Sequence, residues 1–245
     1  LSIFESVNLI CQSANLPMPD SHPARFIIAI DGPSGAGKGT VARELATRLD
    51  YRHVDTGAMY RAVAWKAVHD GLSLDDEEAV AQVARRSSLS VGPGGVVIDG
   101  HDVTTAIRTP EIDRASAATA RLPKVREALV ARQRKEGEGG GVVMEGRDIG
   151  SVVFPNADVK IYLDASPEER ARRRAADPAH GLSRAAAATD VATELEARDR
   201  SDRTRSNSPL TIPSDAVTVD TTALSIGETV ERVLDIVKKA IGARA

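Results

Sequence analysis

Asp31–Thr40 reads DGPSGAGKGT and follows the apolar run RFIIAI, Arg25–Ile30. Gly32 to Lys38 fits G-x-x-x-x-G-K, placed after a strand signal and before a helical one, the context a phosphate-binding loop requires. Gly32, Gly35 and Gly37 free the backbone to turn its N–H groups inward around Pro33, Ser34 and Ala36. The start of the following helix adds positive potential, and Lys38 is long enough to reach terminal phosphates. The competing reading is a Gly-rich turn that happens to contain Lys; the agreement of motif and context favours ATP or GTP binding. Gly39 stands where many such loops place Ser or Thr, and the hydroxyl comes one residue later, at Thr40.

The surroundings fit a globular nucleotide-handling domain. The chain has 245 residues and a net charge of −3, so global charge gives no reason to expect nucleic acid or an anionic membrane as partner. Cys11 is the only cysteine, which excludes an internal disulfide and a cysteine zinc cluster and fits a cytoplasmic setting. No apolar run approaches the ~18 residues of a membrane span. Residues 1–24 lack the basic start of a signal peptide and carry Pro17, Pro19 and Pro23. They are expected to form a flexible tail, a docked extra segment being the alternative, with residues 25–245 as the catalytic unit.

Strand and helix signals alternate along that unit. RFIIAI, YRHVDT, VVMEG, DVKIYLD and DAVTVDTT read as strands, and helical patterns follow them. Asp75 with Glu78, and Ser225 with Glu228, resemble capping pairs. The stretch LSVGPGGVVIDGHDV breaks the alternation with two short strands around a Gly/Pro turn, an antiparallel insert over about residues 88–108. The expected fold is α/β: a P-loop parallel sheet flanked by helices, with the small antiparallel insert and an Arg-rich helical segment over about residues 166–185.

A phosphoryl-transfer enzyme also needs an acceptor site, and bringing two polyanions together calls for arginine. Three clusters qualify. DTGAMYR offers Thr56, Tyr60 and Arg61; EGRDIG puts Arg147 and Asp148 just past a strand's C-terminal end; ARDRSDRTR carries Arg198 and Asp202 on one helical face, followed by Arg205. Each has a plainer reading, as a surface ion pair or a solvated helix face. Glu145 is the best acidic candidate near a metal, either as a ligand or as a helper acting through water.

Taken in order, GPSGAGKGT, DTGAMYR, IRTPE, VREALVARQR, EGRDIGSVVFPNADVKIYLDAS and ARDRSDRTRSNSPL resemble the bacterial cytidylate kinases, over about Phe26 to Ile241. GKGT by itself is similar to the small-molecule nucleotide kinases. The resemblance implies transfer of the ATP γ-phosphoryl group to CMP or dCMP, and Mg²⁺ is the expected cofactor; the expected partners are ATP and CMP or dCMP, with a monomer and no nucleic acid or membrane. The resemblance also implies that Gly32 to Thr40, with Arg170, Arg172 and Arg174 from a lid, hold ATP; by position alone, Thr40 and Glu145 are the candidates nearest the metal. It further implies that Thr56, Arg126, Asp148 and Arg205 surround the cytosine. Arg61 and Arg147 would hold the acceptor phosphate, Tyr60 would wall the pocket, and Arg198 and Asp202 would face the sugar and phosphate. Lys38, Arg147 and Arg198 are the implied catalytic groups. The family's serine near the sugar has no assigned counterpart, because Ala117 stands there with Ser116 beside it. Rival readings are a kinase of another small acceptor, such as uridylate or shikimate, and an ATP-dependent nucleic-acid-binding module.

Overall fold

A computed structural model of the chain describes residues 25–177, 188–205 and 207–242. The expectations for the tail and for the second half of the Arg-rich segment therefore lie outside the described residues. Five parallel strands form the main sheet in the order β2-β6-β1-β7-β8. They are β1 (Ile27–Asp31), β2 (Arg52–Asp55), β6 (Val142–Gly146), β7 (Val159–Asp164) and β8 (Val217–Asp220). In the centre, Asp31 lies opposite Gly146 and Tyr162, so β1 and β6 end level while β7 runs two residues further, to Asp164.

The apolar run of β1 is continuous because both of its faces are covered. Ile28 and Ile30 point to one side, where α1 (Lys38–Leu49) contributes Val41, Ala42 and Leu45 and α8 (Ile226–Gly242) contributes Val230, Val233 and Val237. Ala29 points to the other side. There it joins a core built from Met59 and Val63 of α2 (Thr56–His69), Val80 of α3 (Glu77–Arg86), and Val125 and Leu129 of α5 (Pro123–Gly137).

The insert contains three strands rather than the two expected: β3 (Leu89–Gly92), β4 (Gly95–Ile98) and the two-residue β5 (His101–Asp102), paired antiparallel. Val96, Ile98, Val103 and Ile107 of the insert, with Ile112 of α4 (Pro110–Thr119), pack on Ala58 and Ala62 of α2. The insert is thus anchored to the helix that carries Tyr60 and Arg61. α6 (Pro167–Ala176) and α7 (Ala188–Thr204) pack through Ala171, Val191 and Leu195.

Helix ends explain several boundaries. Ser225 and Glu228 form the reciprocal box expected at the start of α8, with Ser225 N–H donating to Glu228 and Glu228 N–H to Ser225 Oγ. At α3 the cap is Asp76, which accepts from Ala79 N–H at 3.0 Å, not Asp75. The Asp75 N–H instead donates to Ser73 Oγ, so the helix begins one residue later than the Asp75/Glu78 spacing suggested. Asp55 ends β2 and caps α2, accepting from Ala58 N–H at 2.9 Å.

The loop between β1 and α1 is pressed onto the sheet. Gly32 has φ 148°, and a Cβ there would lie 2.0 Å from the Leu163 carbonyl oxygen of β7. Gly32→Ala combines this overlap with a backbone conformation that side chains rarely adopt. It should lower unfolding free energy by at least ~2 kcal/mol, measured by urea titration. Wild-type stability in that variant would contradict the close approach of loop and β7.

Candidate functional site

A cavity of about 760 Å³ opens at the C-terminal ends of β1, β2 and β6. This is where the crossovers of an open parallel sheet leave a crevice. Residues Ser34 to Val41 line one side, whereas Gly32 and Pro33 lie outside the lining. Lys38 is buried, and its ammonium donates to the Pro33 carbonyl at 2.7 Å. Burial, reinforced by the charge of Arg147, pulls its pKa down to about 7.

Gly39 has a local reason. The first turn of α1 lies so close to Glu145 that a Cβ on Gly39 would sit 3.0 Å from Glu145 Oε1. Glycine lets the carboxylate reach the helix start, and the hydroxyl moves to Thr40, which lines the cavity. Glu145 is fixed by two contacts. His53 Nε2 lies 3.1 Å from its Oε1, and the Thr56 hydroxyl donates to its backbone carbonyl at 2.7 Å.

The opposite side is a mesh of alternating charge. Asp148 pairs with Arg126 and lies 3.6 Å from Arg205, which is also 3.6 Å from Asp202. Arg147 Nε donates to Asp202 at 3.0 Å. Arg147 and Asp148 are therefore not each other's ion-pair partners: each faces a different charge. Burial opposes ionisation of Asp202, but Arg147, Arg198 and Arg205 hold its pKa below the usual carboxylate range. Burial, with Arg61 and Arg147 nearby, lowers Arg198 to about 10. Tyr60 lies against Arg126, whose guanidinium carbon is 5.7 Å from the ring centroid, and burial raises the phenol to about 12.

Donors are left over in this mesh. Among the described residues, Tyr60 Oη, Arg126 Nε, Arg198 Nε and Arg205 Nη2 are buried without a hydrogen-bond partner. Buried polar groups rarely stay unpaired in a finished structure, so this clustering marks a surface shaped for a polar ligand.

The Cytidylate kinase family model matches residues 28–239. The chain belongs to the cytidylate kinase family. The cytidylate kinase of Solibacter usitatus is 47% identical over 230 residues, covering 91% of this chain and 97% of its own. That of Caldanaerobacter subterraneus is 48% identical over 212 residues, covering 86% and 94%. That of Geobacillus kaustophilus is 47% identical over 224 residues, covering 89% and 99%. A solved shikimate kinase from Bacteroides thetaiotaomicron covers 88% of this chain and 99% of its own at 13% identity and TM-score 0.49, too distant to bear on the substrate. As a member of the cytidylate kinase family the protein is a phosphotransferase with the fold of a small P-loop kinase. No helix among the described residues is long and apolar enough to cross a membrane.

The family's motif residues meet in one place here. Thr56, Tyr60, Arg61, Arg126, Glu145, Arg147, Asp148, Arg198, Asp202 and Arg205 all line the cavity. Ser116 and Ala117 line it as well, but the Ser116 hydroxyl is already committed to the Asp113 carbonyl at 2.9 Å. On α6 the arginines separate. Arg172 and Arg174 line the cavity, Arg172 as an exposed residue bonded to Glu169. Arg170 does not line it. Its guanidinium is buried and spent on the Ala165 and Ser34 carbonyls and on Asp199, so it clamps the loop instead of facing a nucleotide.

Four participants escaped the sequence reading. Arg173 lines the cavity and donates to Thr221. Its place is not separable by helical spacing, since Arg173 shares a face with the clamping Arg170 while lining the cavity beside Arg172 and Arg174. Asp199 receives both the Ser34 N–H and Arg170. Asp31, at the end of β1, accepts from Ile149 and Gly150 N–H at 2.8 and 2.7 Å and so fixes the π-helical turn (Ile149–Val153) after Asp148. Burial raises the Asp31 pKa to about 6. Asp113 meets Arg61, Arg174 and Arg198. Asp31 and Asp199 lie within the quoted stretches DGPSGAGKGT and ARDRSDRTR, and Asp113 beside IRTPE, but their partners are distant in sequence and no local pattern reveals them.

Lys38 provides a direct test. With a free-enzyme pKa of about 7 it is mostly neutral at pH 8, and a polyphosphate placed beside it favours the ammonium. Nucleoside triphosphate binding at pH 8 should therefore take up close to one proton. Titration calorimetry in buffers of different ionisation enthalpy measures this. Lys38→Met should abolish the buffer dependence; a buffer-independent enthalpy in the wild type would contradict the environment described for Lys38.

Proposed function

We propose that the protein transfers the γ-phosphoryl group of ATP to CMP or dCMP, giving ADP and CDP or dCDP. The observation that carries this reading is the set of orphaned donors around the Arg126–Asp148 pair, at the far end of a cavity whose other wall is the glycine-rich loop. A cleft with an anion cradle on one side and an arginine-rich polar pocket on the other suits two phosphate-bearing substrates. Ser34 to Thr40 receive the triphosphate, with Arg172, Arg173 and Arg174 alongside. Arg61, Arg147 and Arg198 receive the acceptor phosphate, and Thr56, Tyr60, Arg126, Asp148 and Arg205 receive the base.

ATP is the donor as its Mg²⁺ complex. The residues present fit that ion: Thr40 and Glu145 offer oxygen donors beside the loop, and no group of three or more metal-binding side chains occurs among the described residues. Mg²⁺ in phosphoryl-transfer sites is held mainly by substrate phosphates and water, with one or two protein oxygens. When bound it supplies charge neutralisation at the transferring phosphates.

An oxygen of the acceptor phosphate attacks the γ-phosphorus, and the bond from that phosphorus to the β–γ bridging oxygen breaks as the new P–O bond forms. The protein forms no covalent intermediate. Lys38, Arg147 and Arg198 stabilise the equatorial charge, and they are held in place before substrate arrives by Pro33, Asp202 and Asp113. Exclusion of water matters because water is a competing acceptor. α6, clamped by Arg170 to the loop, provides one wall of that enclosure.

Cytosine presents an amine where uracil presents a carbonyl, so a carboxylate favours cytosine. ATP-dependent turnover should be efficient with CMP and dCMP and poor with UMP and AMP; equal turnover with UMP would refute the base assignment. Asp148→Asn should lower kcat/KM for CMP by roughly ten- to a hundredfold, the range of a hydrogen bond to a charged group, and narrow the gap between CMP and UMP. Were Asp148 only a counter-ion for Arg126 and Arg205, both acceptors would weaken in equal proportion. RNA or DNA that bound or stimulated turnover at moderate salt would favour the nucleic-acid reading instead.

A further inference from the structure

Arg61, Arg174 and Arg198 reach the cavity from three helices: α2, α6 and α7. One carboxylate, itself outside the cavity lining, meets all three from behind. Asp113, in the first turn of α4, accepts from Arg61 Nε at 2.9 Å and Arg198 Nη1 at 3.3 Å, and it pairs with Arg174. The fourth arginine here, Arg147, has its own partner in Asp202.

The cluster is electrically unfinished. Asp113 is the one carboxylate that meets all three guanidinium groups, while Asp55 and Glu145 act on Arg61, Asp177 on Arg174 and Asp202 on Arg198; Arg198 still keeps a buried Nε without a partner. Burial disfavours the Asp113 carboxylate, yet the three arginines hold its pKa down to about 2, so it stays charged throughout the working range. The remaining positive charge awaits phosphate. Since Asp113 is common to all three cations, a change at any of them alters the field at the others.

We propose that Asp113 is a positioning residue that couples the two halves of the cleft. It holds Arg174 of α6 in the same ion cluster as Arg61 and Arg198, so binding of one phosphate-bearing substrate favours binding of the other. The inference rests on the proposed roles of Arg61 and Arg198 toward the acceptor and of Arg174 toward the donor. When acceptor phosphate takes over Arg61 and Arg198, Asp113 is left to pair with Arg174, and α6 settles over the donor. Linkage makes the effect reciprocal. No local motif announces this role, because the four residues come from four separate helices.

The test is a binding measurement. The affinity for CMP is determined by titration calorimetry with and without a non-hydrolysable ATP analogue and Mg²⁺. In the wild type the analogue should tighten CMP binding at least ~5-fold, the lower end of ordinary coupling between sites. In Asp113→Asn, which keeps the shape and removes the charge, that factor should fall to near one; Asp113→Glu should restore part of it. Arg174→Gln, which breaks the link from the α6 side and leaves Asp113 with Arg61 and Arg198, should abolish coupling in the same way. This second variant decides the matter if Asp113→Asn does not fold, as judged by thermal unfolding. A full coupling factor in either folded variant, or no coupling in the wild type, overturns the inference. A wild type that phosphorylates CMP without coupling sinks this inference alone, whereas failure to phosphorylate CMP sinks the reaction assignment beneath it.

Discussion

Guanidinium groups do not crowd together in a half-buried cleft unless something holds them there, and this molecule depends on how that constraint is met. Arg61, Arg126, Arg147, Arg174, Arg198 and Arg205 converge on one cavity. Asp113, Asp148 and Asp202 keep them apart and oriented. Ion pairs of this kind contribute little net stability after desolvation. Their value is in arrangement: the arginines are already placed before any phosphate arrives, and the surplus of positive charge and unpaired N–H groups defines what the ligand must bring. Substrate binding completes an electrostatic structure that folding leaves open.

The sheet sets where this can happen. Parallel strands that end level put Asp31, Asp55, Glu145 and Gly146 along one rim. Each of these positions then serves the site. Asp31 fixes the turn after Asp148, Asp55 starts the helix that bears Tyr60 and Arg61, and Glu145 lies against the first turn of α1. Gly39 is the meeting point of fold and chemistry, since only a residue without Cβ leaves room for Glu145 there without displacing it. Asp199 adds a further tie, linking α7 to the loop through Ser34 N–H and to α6 through Arg170. The helix that carries Arg198 and Asp202 is thereby indexed directly to the phosphate cradle.

Much of this was legible in the sequence because it is local. The loop, the strand–helix alternation, the insert and the cap of α8 each occupy a short window with its own physical signature. The cap of α3 fell one residue from its expected place because Asp75 and Asp76 are equally suitable caps by type, and the Ser73 turn settles which one serves. On α6 the composition announced an arginine-rich helix but not the division of labour within it. Arg170 belongs to the clamp, Arg172 to the surface and Arg173 to Thr221. The carboxylates were hardest to see. Asp31, Asp113 and Asp199 are single residues whose partners lie far away in sequence, so their roles exist only once the helices are assembled.

The account holds that one continuous cleft binds a nucleoside triphosphate and a cytidine monophosphate side by side, with the transferring phosphoryl between them. A linked ligand tests that most directly: adenosine and cytidine joined 5′ to 5′ through five phosphates. Its dissociation constant by titration calorimetry should lie at least ~100-fold below that of ATP or CMP alone, as expected when one tether satisfies both subsites. The corresponding adenosine–adenosine ligand should gain far less. A cytidine–adenosine ligand that binds no more tightly than ATP would show that the two halves of the cavity are not occupied together, and the account would fail.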